Sequence, residues 1–150
     1  IFMCNHCPFV KHVRTLLADL GRECQQKGVA MFGINANNIE THPQDSPELM
    51  AREIQDAGYV FPYLYDESQS VARAYKAACT PDPFLFDMNL KLVYRGQLDG
   101  SRPGNDVPLS GGDIRAAIED VLKGKSVSPD QKPSMGCNIK WKPGNEPDYA

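Results

Sequence analysis

Phe9, Val10, Val13, Leu16, Leu17, Leu20 and Cys24 recur at spacings of three, four and seven, one apolar face of a helix running from about residue 5 to 26. Pro8 sits in its first turn, where a missing amide hydrogen costs little, and Gly28 follows its end. Cys24 falls on the buried stripe and reads as a core residue. The pattern then changes: the continuous apolar run Val29–Ile34 reads as a strand covered on both faces. A polar loop over 35–45 leads to Ser46-Pro47-Glu48, an N-cap with proline at the first helical position. The helix that follows carries Leu49, Met50, Ile54 and Ala57 and stops at Gly58. Residues 61–66 hold a short strand, and Ser68 caps a helix with Val71, Ala72 and Tyr75 facing inward.

Pro83–Asp87 is the next strand, Met88-Asn89 a turn, and Lys91–Arg95 the returning arm of a hairpin. A loop rich in Gly, Pro and Ser spans about 96 to 112, and a helix from Asp113 to Lys123 buries Ile114, Ala117, Ile118, Val121 and Leu122. Residues 125–150 are polar and rich in Pro and Gly, a C-terminal tail that carries Cys137 and the single tryptophan, Trp141. At the other end, Ile1-Phe2-Met3 reads as a strand cut short, so residues upstream of Ile1 are expected to be missing. Strands and helices in this order give an α/β fold, a mixed central sheet flanked by helices.

A chain of 150 residues makes one domain with a core that needs no disulfide stapling. A net charge of −3 argues against nucleic acid or an anionic membrane as partner, and no apolar stretch reaches the length of a transmembrane span. Five cysteines are an odd count, which disfavours a fully paired secreted framework. The compartment expected is the bacterial cytoplasm, with a targeting sequence upstream of Ile1 left open.

Against this background Cys4-Asn5-His6-Cys7 changes the picture. Thiols at i and i+3 on a first helical turn can close a disulfide between themselves, and the free amides and dipole of a helix start favour thiolate. At a pKa of about 8.5 a thiol is only ~3% ionised at pH 7, whereas near 7 it is about half ionised. A structural zinc site would need a second pair about 12 to 20 residues on. The other cysteines, Cys24, Cys79 and Cys137, are solitary, and Pro8 rather than His follows Cys7, which removes covalent haem attachment. No metal or other cofactor is called for.

Ala78-Cys79-Thr80-Pro81-Asp82-Pro83-Phe84-Leu85-Phe86-Asp87 supplies a second anchor. With the Cys-x-x-Cys helix it resembles the thioredoxin superfamily, in which a cis-proline loop precedes the strand that enters the hairpin. The resemblance covers residues 1–124, leaving 125–150 as the tail. The insert between 35 and 66 is similar to the branch grouped with the alkyl hydroperoxide reductase/thiol-specific antioxidant family and the membrane-tethered thioredoxins of cytochrome c maturation. The resemblance implies a thioredoxin-like fold and a protein thiol or disulfide as partner.

Cys4, at the helix start and therefore more exposed, is the expected nucleophile with the lower pKa, and Cys7 the resolving thiol that closes the intramolecular disulfide. His6 has two readings: a group beside the sulfurs that stabilises thiolate, or an exposed polar residue. Its placement is similar to the Cys-x-His-Cys of bacterial disulfide oxidases and differs from thioredoxin's Cys-Gly-Pro-Cys. Thr80 and Pro81, if joined by a cis peptide, offer backbone pairing to an extended substrate. Cys79 is either a third redox participant or a small loop residue. Cys137 is either a second resolving thiol or a packed one. Lys11, His12 and Arg14 read as a solvated helix face. The function expected is exchange of a Cys4/Cys7 disulfide with protein or small-molecule thiols. Two alternatives remain: a thiol peroxidase, for which Ile1 occupies the position three before Cys4 where a hydroxyl is usual, and a copper or zinc carrier using Cys4, Cys7 and His6.

Overall fold

The computed structural model describes residues 1–149. Its first long helix is one amphipathic stretch broken in the middle: α1 (Pro8–His12) and α2 (Arg14–Gln26) meet at Val13. Val13 leaves helical geometry (φ −95°, ψ 8°), and its amide is shared between the carbonyls of Phe9 and Val10, so one tightened turn bends the axis without ending the bonding. The helix also begins later than its periodicity predicts. Cys7 is the N-cap and Pro8 the first helical residue, so Cys4 lies in the bend that precedes the helix.

Ile1-Phe2-Met3 forms the middle of the sheet. Phe2 bridges Ile34 in parallel and Asp82 in antiparallel sense, with backbone bonds of 2.9 Å to one neighbour and 3.0 Å to the other. On one side follow β1 (Gly33–Asn35) and, parallel to it, β2 (Tyr63–Tyr65). On the other, the chain through Asp82 enters β4 (Phe84–Phe86), which pairs antiparallel with β5 (Leu92–Arg95). A mixed sheet results. A third pair stands behind it: β3 (Cys79–Thr80) against β6 (Cys137–Asn138), antiparallel, with Thr80 opposite Cys137.

The main core joins α1, α2 and α5 (Gly112–Leu122) to the sheet, with Met3, Leu17, Leu20 and Ile118 among its buried residues. Each such aliphatic side chain contributes about 1.5–3 kcal/mol on burial. A smaller core lies on the opposite face around Phe2, Ala36, Ala72, Ala77 and Ile139. It is too short to cover the whole run Val29–Ile34. Ala30 and Phe32 are exposed, and coverage on both faces holds only at the C-terminal end of that run.

Ser46 caps α3 (Pro47–Ala57) by accepting the Leu49 amide, and Gly58 ends it in the left-handed conformation (φ 69°) that a glycine adopts without strain. The next helix, α4 (Ser70–Tyr75), starts after Gln69 rather than at Ser68, and its inward face is Ala72 alone. Val71 and Tyr75 are partly exposed, although the Tyr75 ring still meets Phe2 and Phe84 edge-on. In α5, Val121 is half-buried and Leu122 exposed, the helix having run past the edge of the core. The helix face expected to be solvated is engaged instead: Arg14 holds Glu53 through two bonds of 2.7 and 3.0 Å, and His12 meets Ser101 at 2.7 Å.

Candidate functional site

The bend Asn5-His6 is held by a residue far away in sequence. Asp45, on the 3₁₀ turn Pro43–Asp45, is fully buried, and its Oδ1 accepts the amides of Asn5 at 2.8 Å and His6 at 3.1 Å. Its Oδ2 meets His6 Nδ1 at 2.6 Å and accepts the Asn37 side-chain amide at 2.8 Å. The stretch read as a polar loop is therefore a buried hydrogen-bond network. Asn35 donates to the Asp45 carbonyl, and Asn37 accepts the Lys140 amide from the tail. No local pattern marks Asp45. Only its position just before the Ser46-Pro47 cap hints that its backbone is fixed.

This carboxylate occupies the amides that a helix start was expected to offer the Cys4 sulfur. Cys4 is also not the exposed thiol: both Cys4 and Cys7 are buried. Cys4 Sγ lies 3.4 Å from the Thr80 hydroxyl and 3.8 Å from His6 Nδ1. Cys7, as a thiol, donates to the Thr80 carbonyl at 3.3 Å. Thr80 thus touches both sulfurs, and the Thr80–Pro81 peptide is cis.

Cys4 and Cys7 meet at Thr80, and their thiols interact. That interaction pushes the Cys4 thiol up, with burial and the Asp45 charge acting in the same direction. It holds the Cys7 thiol well below the ordinary range, with Cys137, the Val10 amide and Thr80 assisting against burial. The dithiol gives up one proton easily and the second with difficulty. Of the two, Cys7 is the more acidic thiol, opposite to the order expected from a helix starting at Cys4.

The remaining thiols separate. Cys24 is buried in the main core. Cys79 is half-buried, and burial followed by the Asp82 charge pushes its thiol up to about 12, which keeps it protonated at neutral pH. Cys137 stands opposite Thr80 across the β3–β6 pair and packs against the main core. Gly136 lets the strands meet there, since a Cβ at that position would lie 2.0 Å from the Thr80 carbonyl oxygen. Sequence reasoning missed Asp45, Asn37 and Gly136. It also missed His42, whose ring lies 4.8 Å from that of His6. Cys4, His6 and Asp45 bring donor atoms within 4.8 Å of one another, though both Asp45 oxygens are already engaged by amide groups.

The family model described as the AhpC/TSA family matches residues 1–95. The chain belongs to the AhpC/TSA family. Its fold is thioredoxin-like, and two solved structures share it closely. An uncharacterized conserved protein from Geobacillus kaustophilus is 57% identical, with a TM-score of 0.93 over 95% of this chain and 76% of that one. A hypothetical protein from Sinorhizobium meliloti 1021 is 50% identical, with a TM-score of 0.94 over 95% of this chain and 78% of that one. No curated protein matches the chain. Membership of the AhpC/TSA family implies redox chemistry of the thioredoxin-like peroxidase or oxidoreductase kind, with thiol partners. Among the described residues no helix is long and apolar enough to cross a membrane.

Proposed function

We propose that this AhpC/TSA family member is a thiol–disulfide oxidoreductase that exchanges a Cys4/Cys7 disulfide with protein or small-molecule thiols. The observation that carries the reading is the meeting of the buried Cys4 and Cys7 sulfurs at Thr80, 3.4 Å and 3.3 Å from its hydroxyl and carbonyl oxygens, since two thiols held this way can be oxidised as a unit. In the reducing direction Cys4 passes its proton to Cys7 and attacks a partner disulfide, forming a mixed disulfide and releasing one partner thiolate. Cys7, deprotonated again, then attacks the Cys4 sulfur. The second partner thiolate leaves, and two electrons have moved from the dithiol to the partner. Residues 1–124 form the redox domain in this reading, with 125–150 as a tail whose strand Cys137–Asn138 pairs with Cys79–Thr80.

One observation favours a second reading. Ile1 offers no hydroxyl three positions before Cys4, but the Thr80 hydroxyl lies 3.4 Å from the Cys4 sulfur, within reach of an oxygen bound there. The reduced protein, challenged separately with hydrogen peroxide and with a disulfide substrate, decides between them. Exchange is expected to dominate, with a reversible two-electron couple on Cys4/Cys7 in a glutathione redox series. Rapid, saturable, Cys4-dependent peroxide consumption would instead establish the peroxidase, and stoichiometric copper or zinc without a reversible couple would establish a carrier.

His6 stands between the Cys4 sulfur and the Asp45 carboxylate. Removing its ring exposes the thiolate pair to that negative charge, which destabilises the dithiol form relative to the disulfide. His6→Ala is therefore expected to lower the reduction potential by about 30 mV, the equivalent of a tenfold change in equilibrium constant. An unchanged potential in a redox titration makes His6 a bystander.

A further inference from the structure

The tail brings a third sulfur to the site. Ser134 donates to the buried Asp82 carboxylate at 2.7 Å and fixes the chain just before Gly136, while Ile139 donates its amide to the Ala78 carbonyl just after. Between these anchors Cys137 is held opposite Thr80, the residue that touches Cys4 and Cys7. Cys137 also packs against the core cluster that contains Cys4 and Cys7. Thr80 therefore has Cys4, Cys7 and Cys137 around it. Cys4 and Cys7 are buried, whereas Cys137 is only half-buried.

We propose that Cys137 is a relay thiol, which displaces Cys4 from the Cys4–Cys7 disulfide and stores the oxidised state as a Cys7–Cys137 disulfide. The inference rests on the exchange reading above. In the step, the Cys137 thiolate attacks Cys7 Sγ; the Cys7–Cys137 bond forms and the Cys4–Cys7 bond breaks. Cys4 leaves as a thiolate and takes up the proton that Cys137 gave up. No electrons enter or leave the protein, and one disulfide replaces another.

The charges favour the step once the pair is oxidised. In the reduced protein the Cys137 thiol is pushed up to about 11, by burial first and then by the neighbouring Cys7, with Lys140 opposing. Oxidation to Cys4–Cys7 removes the Cys7 charge and leaves burial opposed by Lys140, so forming the first disulfide readies the attacker of the second. The result is an oxidised protein with Cys4 free to engage another partner.

Disulfide mapping of the whole chain tests this. The reduced protein is equilibrated across a glutathione redox series, quenched in acid, blocked with N-ethylmaleimide and digested with trypsin. Trypsin separates peptide 1–11, with Cys4 and Cys7, from 77–91, with Cys79, and from 126–140, with Cys137. The expected result is the internal Cys4–Cys7 loop together with a 1–11/126–140 link that carries blocked Cys4. That link should account for about one tenth or more of oxidised molecules, a state within tenfold of the first. Cys4→Ser should form the same link almost completely. A Cys4–Cys7 couple with no such link in either protein overturns the relay and leaves exchange standing, as does a link to 77–91 in its place. Absence of any reversible disulfide on Cys4 or Cys7 overturns both.

Discussion

Cys4→Ser is expected to abolish disulfide reductase activity, by about a thousandfold or more, and Cys7→Ser to accumulate a stable mixed disulfide with the partner. The attacking sulfur cannot be replaced by a hydroxyl at neutral pH, because an alcohol has no accessible anion there. In the proposed reading Cys7, held with its sulfur 3.3 Å from the Thr80 carbonyl, does not take over the attack. Its own role depends on proximity. An intramolecular thiol one bend away acts at an effective concentration on the order of 10⁵ M, which no external thiol matches, so its loss leaves the mixed disulfide waiting for slow external reduction. Turnover of a small disulfide and mass analysis of trapped adducts read both outcomes. The lowered pKa of Cys7 makes the test a sharp one: should Cys7→Ser be the dead variant and Cys4→Ser the one that traps the adduct, the roles are exchanged.

The largest effect on stability is expected at Asp45. Its carboxylate is fully buried and satisfies the amides of Asn5 and His6, the His6 ring and the Asn37 side chain. Asp45→Ala leaves these donors without acceptors in a water-poor interior and frees the bend that carries Cys4. Breaking such a buried charged network costs about 3–5 kcal/mol. For a domain of this size each kcal/mol lowers Tm by about 2–4 °C, so a drop on the order of 10 °C is expected in the reduced protein. Asp45→Asn, which keeps one carbonyl oxygen for the two backbone amides, should recover part of it. A melting curve within about 1 °C of wild type for Asp45→Ala would remove the network from any structural role.

The two substitutions separate what was legible in the chain from what was not. Apolar periodicity identified the long helix through Leu16, Leu17 and Leu20, the capped helix at Ser46 and Pro47, the hairpin into Arg95 and the last helix at Ile114, Ala117 and Ile118. Each of these depends on residues within a few positions of one another, and local spacing carries that information. The nearness of Cys4 to Cys7 was legible for the same reason. The strand Ile1-Phe2-Met3 gave no periodicity of its own, and its central place came from Ile34 and Asp82.

Tertiary structure alone decided the electrostatics of the site. A start of the helix at Cys4 would have given that sulfur free amides. The carboxylate of Asp45 takes them, because a buried charge lowers its energy most where several donors converge. Thr80 reaches both sulfurs from 73 positions or more away, and Cys137 comes opposite Thr80 because Gly136 leaves room for two strands to close. Sequence by itself determined that two thiols could form a redox pair on a thioredoxin-like scaffold. The packing of distant segments determined which thiol is the more acidic and which third cysteine stands opposite Thr80, since both depend on contacts between residues that share no local pattern.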